Sequence, residues 1–211
     1  MKIVPIVYAS SAIPESMAFC NGSKDIPIPI DFIIYYVEAG QRCILVDAGC
    51  HTMPGLVMKS FVSSVTALED AGIKRESITD LILTHAHHDH IQNTRYFENA
   101  RIYIQREEYE NGKGYIPDNA PLTLFDEEIE ICDGVKAIKW GGHSIGSSIV
   151  EITDNGKTYV ISGDECYVRR CLTEKIPTGS PVRPEKSLEF IEKYSDPEYT
   201  VLLCHEKGME S

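Results

Sequence analysis

Thr84-His85-Ala86-His87-His88-Asp89-His90 is the stretch on which the reading of this chain turns. It carries four of the seven histidines and an aspartate within six consecutive positions, and imidazole is the commonest biological metal ligand. Before it, ITDLIL is a short apolar run that reads as a buried strand; overlapping its end, DHIQNTRYF has a helical pattern. Alternate side chains of extended backbone share a face, so His85 and His87 point together, while a turn into the helix swings Asp89 and His90 to another face. That arrangement suits two adjacent cations, one for each pair, and leaves His88 pointing elsewhere.

Working outward, three more candidate ligands follow apolar strands. His143 lies in GGHSIGSS, beyond a strand ending near Trp140, where Gly141 and Gly142 let the backbone approach closely. Asp164 follows YVISG and His205 follows VLLC. Side chains placed beyond strand ends converge on one sheet edge. Asp47, in LVDAG, reads either as a hydrogen-bonding support for the metal loops or as a turn cap. His51, in GCHTMPG, reads as a loop histidine.

The rest of the pattern supplies the frame. FIIYYVEAG and RCILVDAG, separated by Gly40 and Gln41, read as a hairpin; EIEICDGVKAIKW turns at Asp133-Gly134, and SSIVEIT turns into KTYVISGDE at Asn155-Gly156. Leu56, Phe61, Val65 and Leu68 stand at helical spacing, with Pro54 near the start and Gly72 beyond the end, which predicts a helix over 54–71. NGKGYIPDNAP reads as a loop, PEKSLEFIEKYS as a helix and YTVLLCH as a final buried strand. An α/β chain follows, with two mixed sheets covered by helices. Its 211 residues, 43% hydrophobic and 25% charged, fit one domain over 1–211 with no linker.

Charge and cysteine usage exclude several classes. Asp and Glu number 32 against 20 Lys and Arg, a net charge of −12 that disfavours nucleic acid and that bound cations partly offset. Seven cysteines, an odd number without Cys-x-x-Cys spacing, argue against a disulfide scaffold or zinc ribbon and for a reducing cytoplasm. MKIVPIVYAS is too short and broken for a secretory segment, and no apolar run is long enough to span a bilayer, so no membrane association is expected.

With His85-x-His87-x-Asp89-His90 followed by a distant His143, Asp164 and His205, the chain resembles the metallo-β-lactamase superfamily from about Asp47 to His205. The resemblance implies an αββα four-layer sandwich, two mixed β-sheets flanked by helices, with a dinuclear metal site at one sheet edge. It assigns His85, His87 and His143 to a first metal, Asp89, His90 and His205 to a second, and Asp164 to a bridge. Asp47 and His88 would then support or border the ligands. Two divalent ions are implied, zinc foremost, with iron, manganese and cobalt also compatible with mixed nitrogen and oxygen donors. A water between such metals ionises near neutral pH, so no serine or cysteine nucleophile is required.

Details of the pattern select a branch. His87 stands where the flavodiiron oxidoreductases have glutamate, and Asp164 where the zinc β-lactamases have a cysteine ligand. Six residues after His205 leave no room for the helical region of glyoxalase II. Tyr167, three residues after Asp164, resembles the N-acyl homoserine lactonases, in which a tyrosine there contacts the substrate carbonyl. The implied activity is opening of a lactone or related ester, with Tyr167 donating to the oxyanion and Asp89 passing a proton to the leaving oxygen. Ile91-Gln92 in place of Gly-Gly, and no proline before the His143 loop, depart from the pattern where an acyl pocket is shaped. Thioester or phosphodiester hydrolysis, a mononuclear iron persulfide oxygenase and a non-catalytic metal binder are the alternatives; Asp89, His90 and His205 together favour two metals. The expected partner is a small-molecule ester or lactone, with the chain monomeric or homodimeric.

Overall fold

Side-chain alternation along one long strand sets the architecture. In the computed structural model, which describes residues 1–206, strands β1 (Lys2–Pro14) and β2 (Pro27–Ala39) pair antiparallel across a short helix, α1 (Glu15–Ala18). The last five positions of the expected 1–211 domain lie outside the described residues. β2 is apolar almost throughout because both its faces are covered. Ile33, Tyr35 and Val37 enter one buried cluster, between the sheets, while Phe32, Ile34 and Tyr36 enter the other, beneath the helices. β3 (Arg42–Val46) turns back at Gly40, whose φ of +62° lies in the left-handed region that glycine adopts without steric cost. It repeats the pattern with Ile44 and Val46 inside and Leu45 outside.

The first sheet is completed by β4 (Ser60–Phe61), β5 (Asp80–Leu83), β6 (Arg101–Gln105) and β7 (Leu122–Phe125), with α2 (Ser64–Asp70), α3 (His88–Ile91) and α4 (Arg106–Gly112) between them. Its order is β4-β1-β2-β3-β5-β6-β7, antiparallel from β4 to β3 and parallel from β3 to β7. The second sheet holds β8 (Glu128–Cys132), β9 (Val135–Lys139), β10 (Ser148–Asp154), β11 (Lys157–Ile161) and β12 (Tyr199–Leu202), with α5 (Arg169–Glu174) and α6 (Pro184–Tyr194) before its last strand. It runs β12-β11-β10-β9-β8, and only β11 and β12 pair parallel. Two mixed sheets flanked by helices make the αββα sandwich. Ile152 on β10 is fully buried between the sheets. Ile152→Ala is expected to cost about 2–5 kcal/mol in urea unfolding, and a loss under about 1 kcal/mol would show that the interior collapses around the gap.

Two local expectations are corrected. The helix expected over 54–71 is helical only at Ser64–Asp70. Gly55 takes φ +88°, and the following segment is drawn onto β1, where Lys59 N donates to Ser10 O (2.8 Å) and Val62 N to Tyr8 O (2.9 Å). Strand pairing therefore overrides the period, although Leu56 and Phe61 still pack on the core. Conversely, the expected loop beginning at Asn111 is entered by α4 and a 3-10 turn at Lys113–Tyr115. Gln105 caps α4 through Oε1, which accepts from Glu107 N (2.6 Å) and Glu108 N (3.4 Å).

Candidate metal centre

The ligand candidates come from both sheets. His85, His87, Asp89 and His90 follow β5 of the first sheet; His143 lies between β9 and β10, Asp164 after β11 and His205 after β12 of the second. One donor atom from each of His85, His87, His143 and Asp164 lies within 4.8 Å of the others, and Asp89, His90 and His205 form a second such group. The site thus straddles the seam of the sandwich. His85, His90, His143, Asp164 and His205 are buried, whereas His87 is exposed and Asp89 half-buried, so the site opens on their side.

Hydrogen bonds fix which nitrogen faces inward in three of the rings. Asp47, buried and in the left-handed region at φ +63°, accepts from Thr84 N (2.8 Å) and Thr84 Oγ1 through Oδ1, and from His90 Nδ1 (2.7 Å) through Oδ2. A carboxylate can only accept here, so His90 carries a proton on Nδ1 and turns Nε2 inward. The Thr84 hydroxyl donates to Asp47 and therefore accepts from His85 Nδ1 (3.1 Å), which leaves His85 in the same tautomer. His205 Nδ1 donates to the Asp31 carbonyl (3.0 Å). Three Nε2 atoms are thereby aimed into one space.

The donors suit a cation. His85 Nε2, His90 Nε2 and His143 Nδ1 are buried without a hydrogen-bond partner among the described residues, although an unpaired buried polar atom costs about 1–3 kcal/mol. His87 Nδ1 and His143 Nε2 lie 2.9 Å apart. Asp164 stands between the groups: Oδ1 is 3.0 Å from His205 Nε2 and 3.1 Å from His90 Nε2, while Oδ2 is 3.5 Å from His85 Nε2 and 3.4 Å from His143 Nε2. Nitrogen and oxygen donors at such spacing fit divalent metals.

Electrostatics point the same way. Burial holds the His85 imidazole well below its ordinary pKa and His143 at about 4, so both are neutral and able to ligate. Burial would raise Asp164, but His90, His205, His85 and His143 around it keep it well below the usual carboxylate range. His90 is the converse: burial would lower it, yet Asp164, Asp47 and Asp89 hold it well above an ordinary imidazole.

Other candidates fall around this centre. Tyr167 stacks on His205 with ring centroids 4.6 Å apart and planes at 16°, and lies 6.0 Å from His143. Burial and the nearby Asp164 raise its phenol, which stays protonated. His88 joins neither ligand group; its Nε2 is 3.0 Å from Thr52 O and its Nδ1 3.4 Å from Tyr115 OH. His51 Nδ1 meets Asn93 Oδ1 at 2.7 Å, and Cys166 and Cys204 are buried as free thiols.

Sequence reading missed several supports. Tyr8 OH donates to Asp89 O (2.8 Å). Glu165, fully buried and raised by burial to about 7, accepts from Gly142 N (3.1 Å), His143 N (3.2 Å) and Ser147 Oγ (2.5 Å). A Cβ on Gly142 would come 2.3 Å from Glu165 Oε2 and displace that carboxylate. Glu108 accepts from Ala86 N (2.9 Å), Ser144 Oγ (2.7 Å) and Gly146 N (3.0 Å). The only signal for Glu165 in the sequence is its place beside Asp164, and Glu108 gives none. No helix among the described residues is long and apolar enough to cross a membrane.

Comparison with known proteins agrees with the geometry. The sequence profile of the metallo-beta-lactamase superfamily matches residues 34–205. The chain is 29% identical to a probable metallo-hydrolase of Methanocaldococcus jannaschii over 164 residues, 77% of this chain and 70% of that protein. It is 29% identical to an N-acyl homoserine lactonase of Bacillus cereus over 121 residues, 54% of this chain and 48% of that one. Among solved structures, a quorum-quenching N-acyl homoserine lactone lactonase superposes with TM-score 0.83 at 21% identity, covering 97% of this chain and 91% of that one. A probable metal-dependent hydrolase from Staphylococcus aureus gives 0.82 at 20% identity, covering 97% and 88%. These structures share the fold.

Proposed function

The chain belongs to the metallo-β-lactamase superfamily, and from that premise we propose that it is a hydrolase with two divalent cations that opens a lactone of the N-acyl homoserine type or a related ester. The observation that carries this reading is the meeting of seven donor side chains in two groups with Asp164 between them. In this reading His85, His87 and His143 would hold one cation and Asp89, His90 and His205 the other, with the Asp164 carboxylate available to either group. Zinc suits the nitrogen and oxygen donors, as do iron, manganese and cobalt. Such a pair of cations polarises a carbonyl and brings the pKa of water to about 7.

The side chains do the rest. Asp47, Thr84 and the Asp31 carbonyl orient the three rings, and Glu165 holds the backbone of His143. Tyr167, layered on His205, donates to the carbonyl oxygen as negative charge builds on it. Asp89, on the open side with Oδ2 3.6 Å from His90 Nε2, takes the proton given up by the attacking water and passes it to the departing ring oxygen. The names of the Bacillus cereus relative and of the quorum-quenching structures favour a lactone. Seven free thiols favour a reducing cytoplasm, and the −12 charge a small-molecule partner over nucleic acid.

Turnover of an N-acyl homoserine lactone, S-acylglutathione and bis-nitrophenyl phosphate by the zinc-loaded chain ranks the substrates. The lactone is expected to give the highest kcat/KM, and a larger value for either competitor overturns the substrate assignment. Tyr167→Phe is expected to lower lactone turnover by about 10²-fold with metal content unchanged. Equal turnover in the variant would remove the tyrosine from the reaction.

A further inference from the structure

The first ligand group is split between the two sheets, and something must hold the halves together. His85 and His87 ride on the loop after β5, in the seven-stranded sheet, whereas His143 and Asp164 ride on loops of the five-stranded one. Metal–nitrogen distances of about 2.0–2.1 Å leave little tolerance for one sheet sliding over the other. The second group is braced independently of that slide. Asp47 holds His90 from the first sheet, and backbone bonds from Asp31 N to His205 O (2.9 Å) and Ile33 N to Cys204 O (3.0 Å) tie the His205 segment to β2.

Across the seam at the first group, one main-chain bond, Ser148 N to Thr84 O (2.8 Å), and one ion pair nearer the surface, Lys139 Nζ to Glu107 Oε2 (2.6 Å), are joined by one buried side chain. Glu108 is 2% exposed and lies in the first turn of α4. Its Oε2 accepts from Ala86 N, between His85 and His87, and its Oε1 accepts from Ser144 Oγ and Gly146 N, in the loop of His143. Both oxygens are thus spent on the two histidine loops and neither belongs to a ligand group. Gln105, which caps α4 and so orients Glu108, is also packed against the His143 loop: a Cβ on Gly146 would meet Gln105 Oε1 at 2.2 Å.

We propose that Glu108 is a positioning residue that clasps the two sheets at the metal edge and sets the mutual placement of His87 and His143, an inference that rests on the metal-site reading above. It acts on the cation of the first group and not on that of the second. Glu108→Gln keeps the volume and one acceptor oxygen but replaces the other with an NH2, which faces an N–H it cannot accept from.

The test is zinc affinity, by competition with a chromophoric chelator, and the visible spectrum of the chain titrated with Co2+. In E108Q the ion of the first group is expected to bind about 10- to 100-fold more weakly, with altered cobalt bands, while the ion of the second changes less than about threefold. Ser144→Ala, which removes one of the three donors and leaves Glu108 in place, is expected to give a smaller loss in the same direction. It decides the matter if E108Q does not fold. Glu107→Gln, in the same turn, changes an exposed side chain that pairs with half-buried Lys139 of β9; it serves as the control for a surface contact across the seam and is expected to bind both ions as the unaltered chain does. Loss from both groups equally in folded E108Q, or no loss in either variant, overturns the clasp. An unaltered chain that takes up one zinc instead contradicts the two-cation reading, and the E108Q comparison on that one ion still decides the clasp.

Discussion

Asp164→Ala is expected to lower hydrolysis by at least about 10³-fold and to drop the metal content of the chain below two ions. The carboxylate is buried, and each oxygen faces a different ligand group, so its loss leaves both groups incomplete at once. Water without a pair of cations returns toward its own high pKa, which is worth many orders of magnitude in nucleophile concentration at neutral pH. His90 and His205, which Asp164 holds above an ordinary imidazole, also lose the charge that faces them. Elemental analysis after desalting, paired with lactone turnover, checks both statements. A variant that keeps two ions and more than a tenth of its activity shows that Asp164 is not the shared ligand.

Asp47 gives the second large effect, and here side chain and backbone can be separated. Asp47→Ala strands Thr84 N, the Thr84 hydroxyl and His90 Nδ1 in a buried space and is expected to destabilise the metal-free chain by about 3–5 kcal/mol. It also frees His90 to turn, which weakens metal binding by about 10- to 100-fold. Asp47→Gly loses the same hydrogen bonds but tolerates φ +63° without steric cost, so it is expected to recover about 1–2 kcal/mol of that stability and none of the metal affinity. Urea unfolding and zinc competition on the two variants read the two quantities. Equal stability of Ala and Gly would show that the backbone at 47 carries no strain.

The fold and the ligand candidates were legible for a common physical reason. Runs such as FIIYYV and LIL are apolar at every position because both faces of their strands are covered, and His85 and His205 stand just past such runs. The two ligand groups also part between His87 and Asp89, where extended backbone enters α3. Tertiary contacts decided the remainder. The helical spacing over 54–71 is real, but β1 offers the segment a strand partner and only its last turns stay helical. Asp47 could be read as support or as cap until its contacts with Thr84 and His90, some forty residues away in sequence, were seen. Glu108 belongs to a run of charged residues that looks like a solvated helix face. Its burial comes from two loops that fold over it from opposite sheets.

Anomalous diffraction at the zinc edge from crystals of the zinc-loaded chain tests the two-cation site most directly. Two peaks are expected, roughly 3.5–4 Å apart, one beside His85, His87 and His143, the other beside Asp89, His90 and His205, with Asp164 reaching both. A single peak, or none within bonding distance of these side chains, would contradict it.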